Sequence, residues 1–312
     1  MSTALGKMAA IAVAFGVGLG LALWLDRVGP AAGGAPDAGG VGQRPDREKQ
    51  YRRIICMSPA ASEITFAVGA GPRVVGVSQH TTWPPEAREK PKCGGFFNPS
   101  YERILKLDPD LIVAQGEAAD VSAFAEDNDI EVLSLALTDL ESIFAETRRV
   151  GRVLGLEAGA ELVCAEMRYR LAKVRARVAD RTPVRVLLVT GRQAGSLSSI
   201  RTAGKGTFLH DLVGVAGGVN VLGDMDESYG VVNKETLVRR APEAIVELHG
   251  EGRDPGEALA EARAAWSGMV SLPAVRRGRI FVIESTYALI PGPRVVDLAE
   301  RLAEILHEEV EL

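Results

Sequence analysis

The amino-acid sequence predicts an α/β protein with two lobes, each built on a mostly parallel sheet flanked by helices, bridged by one long helix. Short apolar runs alternate with amphipathic stretches from Arg52 onward, which is typical of parallel strands joined by helices. A segment that begins at Glu102 recurs at Glu235, an offset of 133 residues (235 − 102), which indicates two similar lobes. Between the copies, apolar residues recur at helical spacing.

Composition excludes several classes of function. The chain has 312 residues, 46% hydrophobic and 25% charged, with a net charge of −5. Basic and acidic residues are interspersed without a basic stripe, so we expect no nucleic-acid partner. The three cysteines have no CxxC spacing and the four histidines lie far apart, so we expect no metal site and no thiol chemistry.

The N-terminus indicates the compartment. Met8 to Leu25 is an uncharged run of 18 residues, long enough to span a membrane and longer than the core of most cleavable signals. Residues 1–28 are therefore interpreted as a membrane anchor or a signal segment, and both readings stay open. No cysteine lies near this run, which excludes a lipid anchor. Residues 29–50, rich in glycine, alanine and proline, are interpreted as a flexible linker. Either reading places the folded part outside the cytoplasm.

The first lobe is expected at residues 51–139. Ser58 and Pro59 form an N-cap and first helical position, and the helix that follows ends at a glycine. The other predicted helix is PSYERILKL. The predicted strands are RRIICMSP, RVVGVSQ, DPDLIVAQG and EVLSLA.

The bridging helix is predicted at residues 140–180, with interruptions near Gly155 and Gly159. Its second part has one apolar face. About 22 residues would span roughly 33 Å, enough to cross two lobes and restrict their relative motion.

The second lobe is expected at residues 181–312, with strands VRVLLVTG and EAIVEL and helix GTFLHDLVGVAGG. In both copies of the repeat, a glutamate opens a helix that ends before a proline, Pro109 or Pro242, and a buried strand follows. Trp266, Phe124 and Phe144 lie in helical stretches and are expected in the core. Cys56 is expected to be a buried thiol, and a disulfide with Cys93 stays open.

The stretch GGFFNPSYERILKLDPDLIVA resembles the signature of class III periplasmic binding proteins, which serve importers of cobalamin, ferric siderophores and haem. The resemblance extends through MSPAASEITFAVGAGPRVVGVSQHTTWPPEA, VVNKETLVRRAPEAIVEL and LPAVRRGRIFVIES. It implies a protein with two α/β lobes joined by one helix, holding its ligand between them and delivering it to an ABC permease.

The runs WPPEA and GGFFNP are most similar to the cobalamin-binding branch. The resemblance implies ligand-binding residues His80, Trp83, Phe96, Tyr229 and Tyr287. Phe97 is a further candidate, because Phe96 and Phe97 follow two glycines and one of the two is expected to pack inward while the other faces the ligand. Rigid aromatic side chains suit a large amphipathic disc such as a corrin. His80 stands where tyrosine is usual and Tyr287 where tryptophan is common, so a ferric siderophore or haem remains an alternative ligand.

The resemblance also implies that Glu102 and Glu235 dock onto arginines of a permease dimer. Each glutamate has a simpler reading, because an acidic residue in a first helical turn stabilises the helix dipole. The expected partners are the permease dimer and a small-molecule ligand, for a membrane-tethered monomer at the outer face of the cytoplasmic membrane or in the periplasm. No cofactor is expected.

Enzyme motifs are incomplete. The GKGT run lacks the Walker spacing, GRQAG lacks the third glycine of a dinucleotide fingerprint, and no GxSxG elbow exists. The sequence therefore predicts no enzymatic activity. A membrane-anchored sensor or scaffold that has lost transport remains the alternative from another class.

Overall fold

A computed structural model describes residues 50–95, 97–117, 119–250 and 252–307. The chain divides into two compact units. The N-terminal unit contains the described residues up to Lys173 together with Ile290–Val296. The C-terminal unit contains Val174–Leu289 and the described residues from Asp297 onward. Each unit holds a parallel sheet flanked by helices, so the predicted fold class is confirmed.

The N-terminal unit has a four-stranded parallel sheet in the order β2-β1-β3-β4. Its strands are β1 (Ile54–Cys56), β2 (Val74–Val77), β3 (Leu111–Gln115) and β4 (Glu131–Leu135). The helices between Gln50 and the unit boundary are α1 (Pro59–Thr65), α2 (Pro85–Arg88), α3 (Tyr101–Lys106), α4 (Ala119–Glu126), α5 (Leu140–Leu154) and α6 (Glu157–Val178). Every strand that the sequence predicts here is present.

Helix α1 begins and ends as its sequence indicates. The Ser58 hydroxyl accepts a hydrogen bond from the Ala61 backbone N–H at 3.0 Å, and Pro59 opens the helix. The chain continues through one wider turn, Phe66–Ala70, in which Gly69 has a φ of 101°. That left-handed conformation suits glycine, and it ends the helix before β2.

Two helices, α5 and α6, occupy the segment that was predicted as one bridging helix. Asp139 and Ser142 form a reciprocal cap at the start of α5, and Gly155, with a φ of 66°, ends it. The predicted interruption at Gly155 is thus confirmed, whereas Gly159 lies inside α6. Helix α6 is continuous over 22 residues. The boundary between the two units falls within it, after Lys173.

The C-terminal unit has a parallel sheet in the order β10-β9-β5-β7. An antiparallel pair, β6 and β8, accompanies it and was not predicted. The strands are β5 (Val184–Val189), β6 (Ile200–Ala203), β7 (Gly218–Asn220), β8 (Tyr229–Val232), β9 (Ala244–His249) and β10 (Ile280–Glu284). The helices from there to His307 are α7 (Phe208–Val215), α8 (Lys234–Arg240), α9 (Pro255–Trp266), α10 (Pro273–Arg276) and α11 (Val295–His307).

The repeated segment has the same backbone in both units. Asp108 and Ala241, at equivalent positions after α3 and α8, have φ values of 44° and 45°. In each unit an arginine from the neighbouring strand donates to a carbonyl at the end of the helix: Arg53 to Leu107, and Arg185 to Arg240. The duplication therefore extends to the way each helix ends.

The core residues that the sequence indicates are buried. Trp266 is fully buried, Phe144 is 3% exposed, and Phe124 packs against the cluster around Ile112. Cys56 and Cys93 are both buried and free. Burial raises the pKa of Cys56 to about 12 and that of Cys93 to about 11, so both remain thiols at neutral pH.

The predicted anchor, Met8 to Leu25, lies outside the described residues. Among the residues that the structure describes, no helix combines the length and apolar character needed to cross a membrane.

Candidate functional site

His80 lies on the loop that leaves the carboxyl end of β2. Its Nε2 lies 3.0 Å from Nε2 of Gln79, and its backbone N–H donates to the Ser78 hydroxyl at 3.3 Å. The residue is exposed in part, yet burial of its ring lowers its pKa. The imidazole is therefore neutral at neutral pH and keeps a nitrogen lone pair.

Three contacts fix the shape of this loop. The buried Thr81 hydroxyl lies 3.0 Å from the Ser62 hydroxyl, and Lys92 Nζ donates to the Thr81 carbonyl at 2.9 Å. Arg88 Nε donates to the Thr82 carbonyl at 2.6 Å. A loop held from several sides loses little further entropy when a ligand binds to it.

Trp83 is 41% exposed, and its ring lies under the Arg294 guanidinium at 4.8 Å from the ring centroid. Arg294 Nη2 also donates to Oε1 of the buried Glu63 at 2.6 Å. Trp83 lines a cavity of about 500 Å³ in the N-terminal unit, together with Phe66 and Pro72. Arg294 comes from the segment Ile290–Val296, so the far end of the chain orients the tryptophan.

The GGFF run forms a turn beside His80. Backbone hydrogen bonds join Gly95 and Asn98 in both directions at 3.3 Å, and a β-carbon on Gly95 would lie 3.6 Å from His80 Nε2. Gly94 has a φ of 89°, which suits glycine at the start of the turn. Phe97 is 49% exposed on this turn. Phe96 lies outside the described residues.

Tyr229 and Tyr287 come from two elements of the C-terminal unit. Tyr229 opens β8 opposite Ala203, is partly buried, and has its pKa raised by burial. Tyr287 lies in the turn after β10 and is also partly buried. Each side chain carries a phenol hydroxyl that can donate one hydrogen bond, and each presents an aromatic face.

Sequence reasoning missed a network of buried charges at the carboxyl end of the C-terminal sheet. Oε1 of the fully buried Glu247 accepts from Arg192 Nε and from Trp266 Nε1, each at 2.7 Å. His249 lies between two carboxylates, with Nε2 3.2 Å from Glu247 Oε2 and Nδ1 2.7 Å from Glu284 Oε1. The signal was a glutamate inside an apolar strand, since charged residues are almost never fully buried without partners.

These contacts shift the pKa values of both partners. Burial alone would raise the pKa of Glu247, but hydrogen bonds from His249 and Arg192 hold it below its usual value. Burial alone would lower the pKa of His249, but hydrogen bonds to Glu247 and Glu284 raise it. The network thus favours an ionised carboxylate beside a protonated imidazole.

Glu102 and Glu235 are both exposed, and each is the second residue of its helix, α3 or α8. Glu102 pairs with Lys106 at 2.6 Å. The side chain of Asn233 caps α8 by accepting from the Thr236 N–H at 2.9 Å, whereas the N-cap of α3, Ser100, makes no side-chain cap hydrogen bond. Both glutamates lie in the first turn of their helices, where a carboxylate also stabilises the helix dipole.

No cluster of three or more histidine, cysteine or carboxylate side chains with the geometry to hold a metal ion occurs in the described part of the chain.

Comparison with known proteins gives consistent matches. A family model described as periplasmic binding protein matches residues 54–287. A cobalamin-binding protein of Halobacterium salinarum is 29% identical over 279 residues, covering 87% of this chain and 73% of that protein. An uncharacterised ABC transporter substrate-binding lipoprotein of Bacillus subtilis is 26% identical over 269 residues, covering 84% of this chain and 82% of that protein. The crystal structure of a periplasmic vitamin B12-binding protein of Vibrio cholerae superposes with a TM-score of 0.68 at 24% identity, covering 82% of this chain and 96% of that one.

Proposed function

Because this chain belongs to the periplasmic binding protein family and is the substrate-binding protein of an ABC transporter, we propose that its solute is cobalamin or a related corrinoid. The protein captures the solute outside the cytoplasm and delivers it to the permease. The cobalamin-binding relative at 29% identity supports this choice of ligand.

One structural observation carries the proposal: the N-terminal unit presents His80, Trp83 and Phe97 on loops that the protein itself holds in place. A corrin is a broad disc with an apolar face and a polar rim. Rigid aromatic side chains bury its face at a low entropic cost, and an imidazole supplies a polar contact. Tyr229 and Tyr287 would add the same kind of contact from the C-terminal unit.

The proposal is tested by equilibrium titration of the purified protein with cyanocobalamin, hemin and ferrichrome, monitored by tryptophan emission and ligand absorption. We expect saturable binding of cyanocobalamin at micromolar concentration. Trp83→Ala should weaken it by about tenfold, since a buried aromatic contact of this size contributes somewhat more than 1 kcal/mol. Tyr169→Ala is the matched control, because Tyr169 is an aromatic residue of the same unit that is 60% exposed on α6, where its ring contacts Lys173. Equal loss in both variants, or no binding of cyanocobalamin, would refute the assignment.

Haem is the second candidate, because His80, Tyr229 and Tyr287 are residue types that bind haem iron axially. The neutral imidazole of His80 is ready to coordinate. In the same titration, haem binding through His80 predicts a Soret shift that His80→Ala abolishes. If the solute is instead a ferric siderophore, tryptophan emission and ligand absorption should change with ferrichrome alone.

We propose that Glu102 and Glu235 dock the protein onto a permease dimer, one glutamate to each subunit. Exposed ion pairs contribute little affinity but orient the encounter. Uptake by cells carrying Glu102→Arg with Glu235→Arg should be lost while ligand binding is kept. Retained uptake would remove the docking assignment, and a sensor or scaffold role would show no uptake in the wild type either.

We also propose that the N-terminal segment tethers the protein to the outer face of the membrane. Mass spectrometry of the mature protein distinguishes an intact anchor from a cleaved signal, because cleavage would remove the run Met8 to Leu25.

A further inference from the structure

Two exposed aliphatic side chains occupy equivalent positions in the repeated segment. Leu105 is 48% exposed and Val238 is 46% exposed. They are separated by the same 133 residues (238 − 105) that separate Glu102 from Glu235. Each unit therefore carries one glutamate and one aliphatic residue at matching places of a short helix.

The helix geometry puts each pair on one surface. Residues three apart are neighbours on a helix, so Leu105 lies beside Glu102 and Val238 beside Glu235. The intervening residues Ile104 and Leu237 are fully buried in their own units. The inner side of each helix is thus fixed by the core, and the outer side presents the glutamate with the aliphatic residue.

An exposed leucine or valine is ordinary when it stands alone. Burial in the core explains why Ile104 and Leu237 are apolar, but it does not explain an apolar residue at the next position in both copies. The N-cap of α8 is Asn233, so Glu235 is not needed to cap that helix. A recurring charged and apolar pair on the outside of two units calls for a partner that recognises it twice.

We propose that Leu105 and Val238 are docking residues, each forming a patch with the glutamate three positions before it. The partner is an integral-membrane permease built of two like subunits, and each subunit would offer a basic residue beside an apolar depression. This inference rests on the proposed function of delivery to a permease. Charge steers and orients the encounter, while the aliphatic side chain excludes water and supplies affinity.

Two serine substitutions test the proposal, each with a control on the same unit. Leu105→Ser is matched by Leu162→Ser on the N-terminal unit, and Val238→Ser by Val270→Ser on the C-terminal unit; Leu162 and Val270 are 72% and 66% exposed and lie outside the repeat. The measurement is the affinity of the purified protein for the cognate permease–ATPase complex in nanodiscs. Each test variant should weaken docking by about threefold to tenfold, in line with the loss of a few buried methyl groups. The controls should bind like the wild type.

Unchanged docking of Leu105→Ser with Val238→Ser, or equal weakening by the control pair, would overturn the inference. Melting temperature and cyanocobalamin affinity are measured in parallel, and both should match the wild type. If the glutamate variants lose docking and the aliphatic variants do not, this inference fails while the proposed function stands. If the wild type itself does not bind the permease, the proposed function fails and the inference with it.

Discussion

At the level of single residues, one buried glutamate in each unit organises the polar groups around it. Glu63 Oε1 accepts a hydrogen bond from Arg294, and the Arg294 guanidinium lies over the Trp83 ring. Glu247 accepts from Arg192 and Trp266. A buried carboxylate is tolerated only when it is paired and hydrogen-bonded, and removing one partner leaves the other charge uncompensated.

Glu63→Gln is therefore expected to lower the free energy of unfolding by about 3 kcal/mol, because it removes the buried carboxylate charge that accepts from the Arg294 guanidinium. The measurement is urea unfolding of both proteins. Glu102→Gln is the control, since its pair with Lys106 has side chains 78% and 71% exposed, and it should unfold like the wild type. If the two variants lose equal stability, the Glu63 pair does not stabilise the unit.

The raised pKa of His249 makes its contribution depend on pH. A group whose pKa is higher in the folded state stabilises the protein fully below its unfolded-state value and loses that effect as pH rises through the folded-state value. His249→Gln should therefore cost about 2 kcal/mol near pH 5.5 and much less near pH 9. Chemical unfolding across this range measures the difference.

His210→Gln is the control for that series, because the His210 ring contacts Asn220 rather than a carboxylate. The difference in cost between the two variants at each pH gives the contribution of the His249 contacts with carboxylates. A His249 variant whose cost grows as pH rises would contradict the geometry of an imidazole between Glu247 and Glu284.

The sequence does not predict these contacts, because the residues that form them are distant along the chain. Glu63 and Arg294 are 231 positions apart, and Arg192 and Glu247 are 55 apart. The run EAIVEL predicts a buried strand correctly, but the pattern does not say what compensates the charge of Glu247. His80, Trp83 and Phe97 became candidates through the resemblance to class III periplasmic binding proteins, and their role in binding stays a prediction.

At the level of elements, the sequence predicts all four parallel strands of the N-terminal unit, the two central strands β5 and β9 of the C-terminal sheet, and the repeated helices, but not the outer strands β7 and β10. Each is a contiguous apolar or amphipathic run with local start and stop signals, such as Ser58 before α1 and Gly155 after α5. The pair β6–β8 was missed, because neither Ile200–Ala203 nor Tyr229–Val232 alternates in polarity and their pairing joins distant segments. Local sequence signals therefore predict individual helices and strands, but they do not predict which distant segments pair in a sheet.

The end of α8 offers a test of the repeat at this level. Ala241 has a φ of 45°, a left-handed conformation that a β-carbon disfavours. Ala241→Gly should raise the free energy of unfolding by about 0.5–1 kcal/mol. Ala165→Gly, on the exposed face of α6, should lower it by a similar amount, because there glycine only adds freedom to the unfolded chain. Thermal unfolding measures both, and destabilisation by Ala241→Gly would contradict the strain.

At the scale of the whole molecule, the division into two units falls inside a continuous helix, α6. A helix resists bending more than an extended linker does, because its backbone hydrogen bonds must break for it to kink. We therefore propose that the two lobes move relative to one another by only a few degrees when the solute binds. The proposal concerns the free and bound states of the same protein, so distance measurements in solution can test it.

Spin labels on Glu126→Cys and Arg263→Cys, one exposed site per unit, provide that distance. The labels should react selectively, because the three native cysteines, Cys56, Cys93 and Cys164, are buried and burial raises the pKa of each thiol. In the wild type, the interspin distance distribution should be narrow and nearly the same with and without saturating cyanocobalamin.

Lys173→Pro interrupts α6 at the unit boundary, so it should broaden the distance distribution without ligand. It should also weaken binding, since binding must then order the lobes. Glu157→Pro, at the first helical position where proline is tolerated, should behave like the wild type. A large ligand-dependent shift in the wild type would show that α6 does not restrain the lobes.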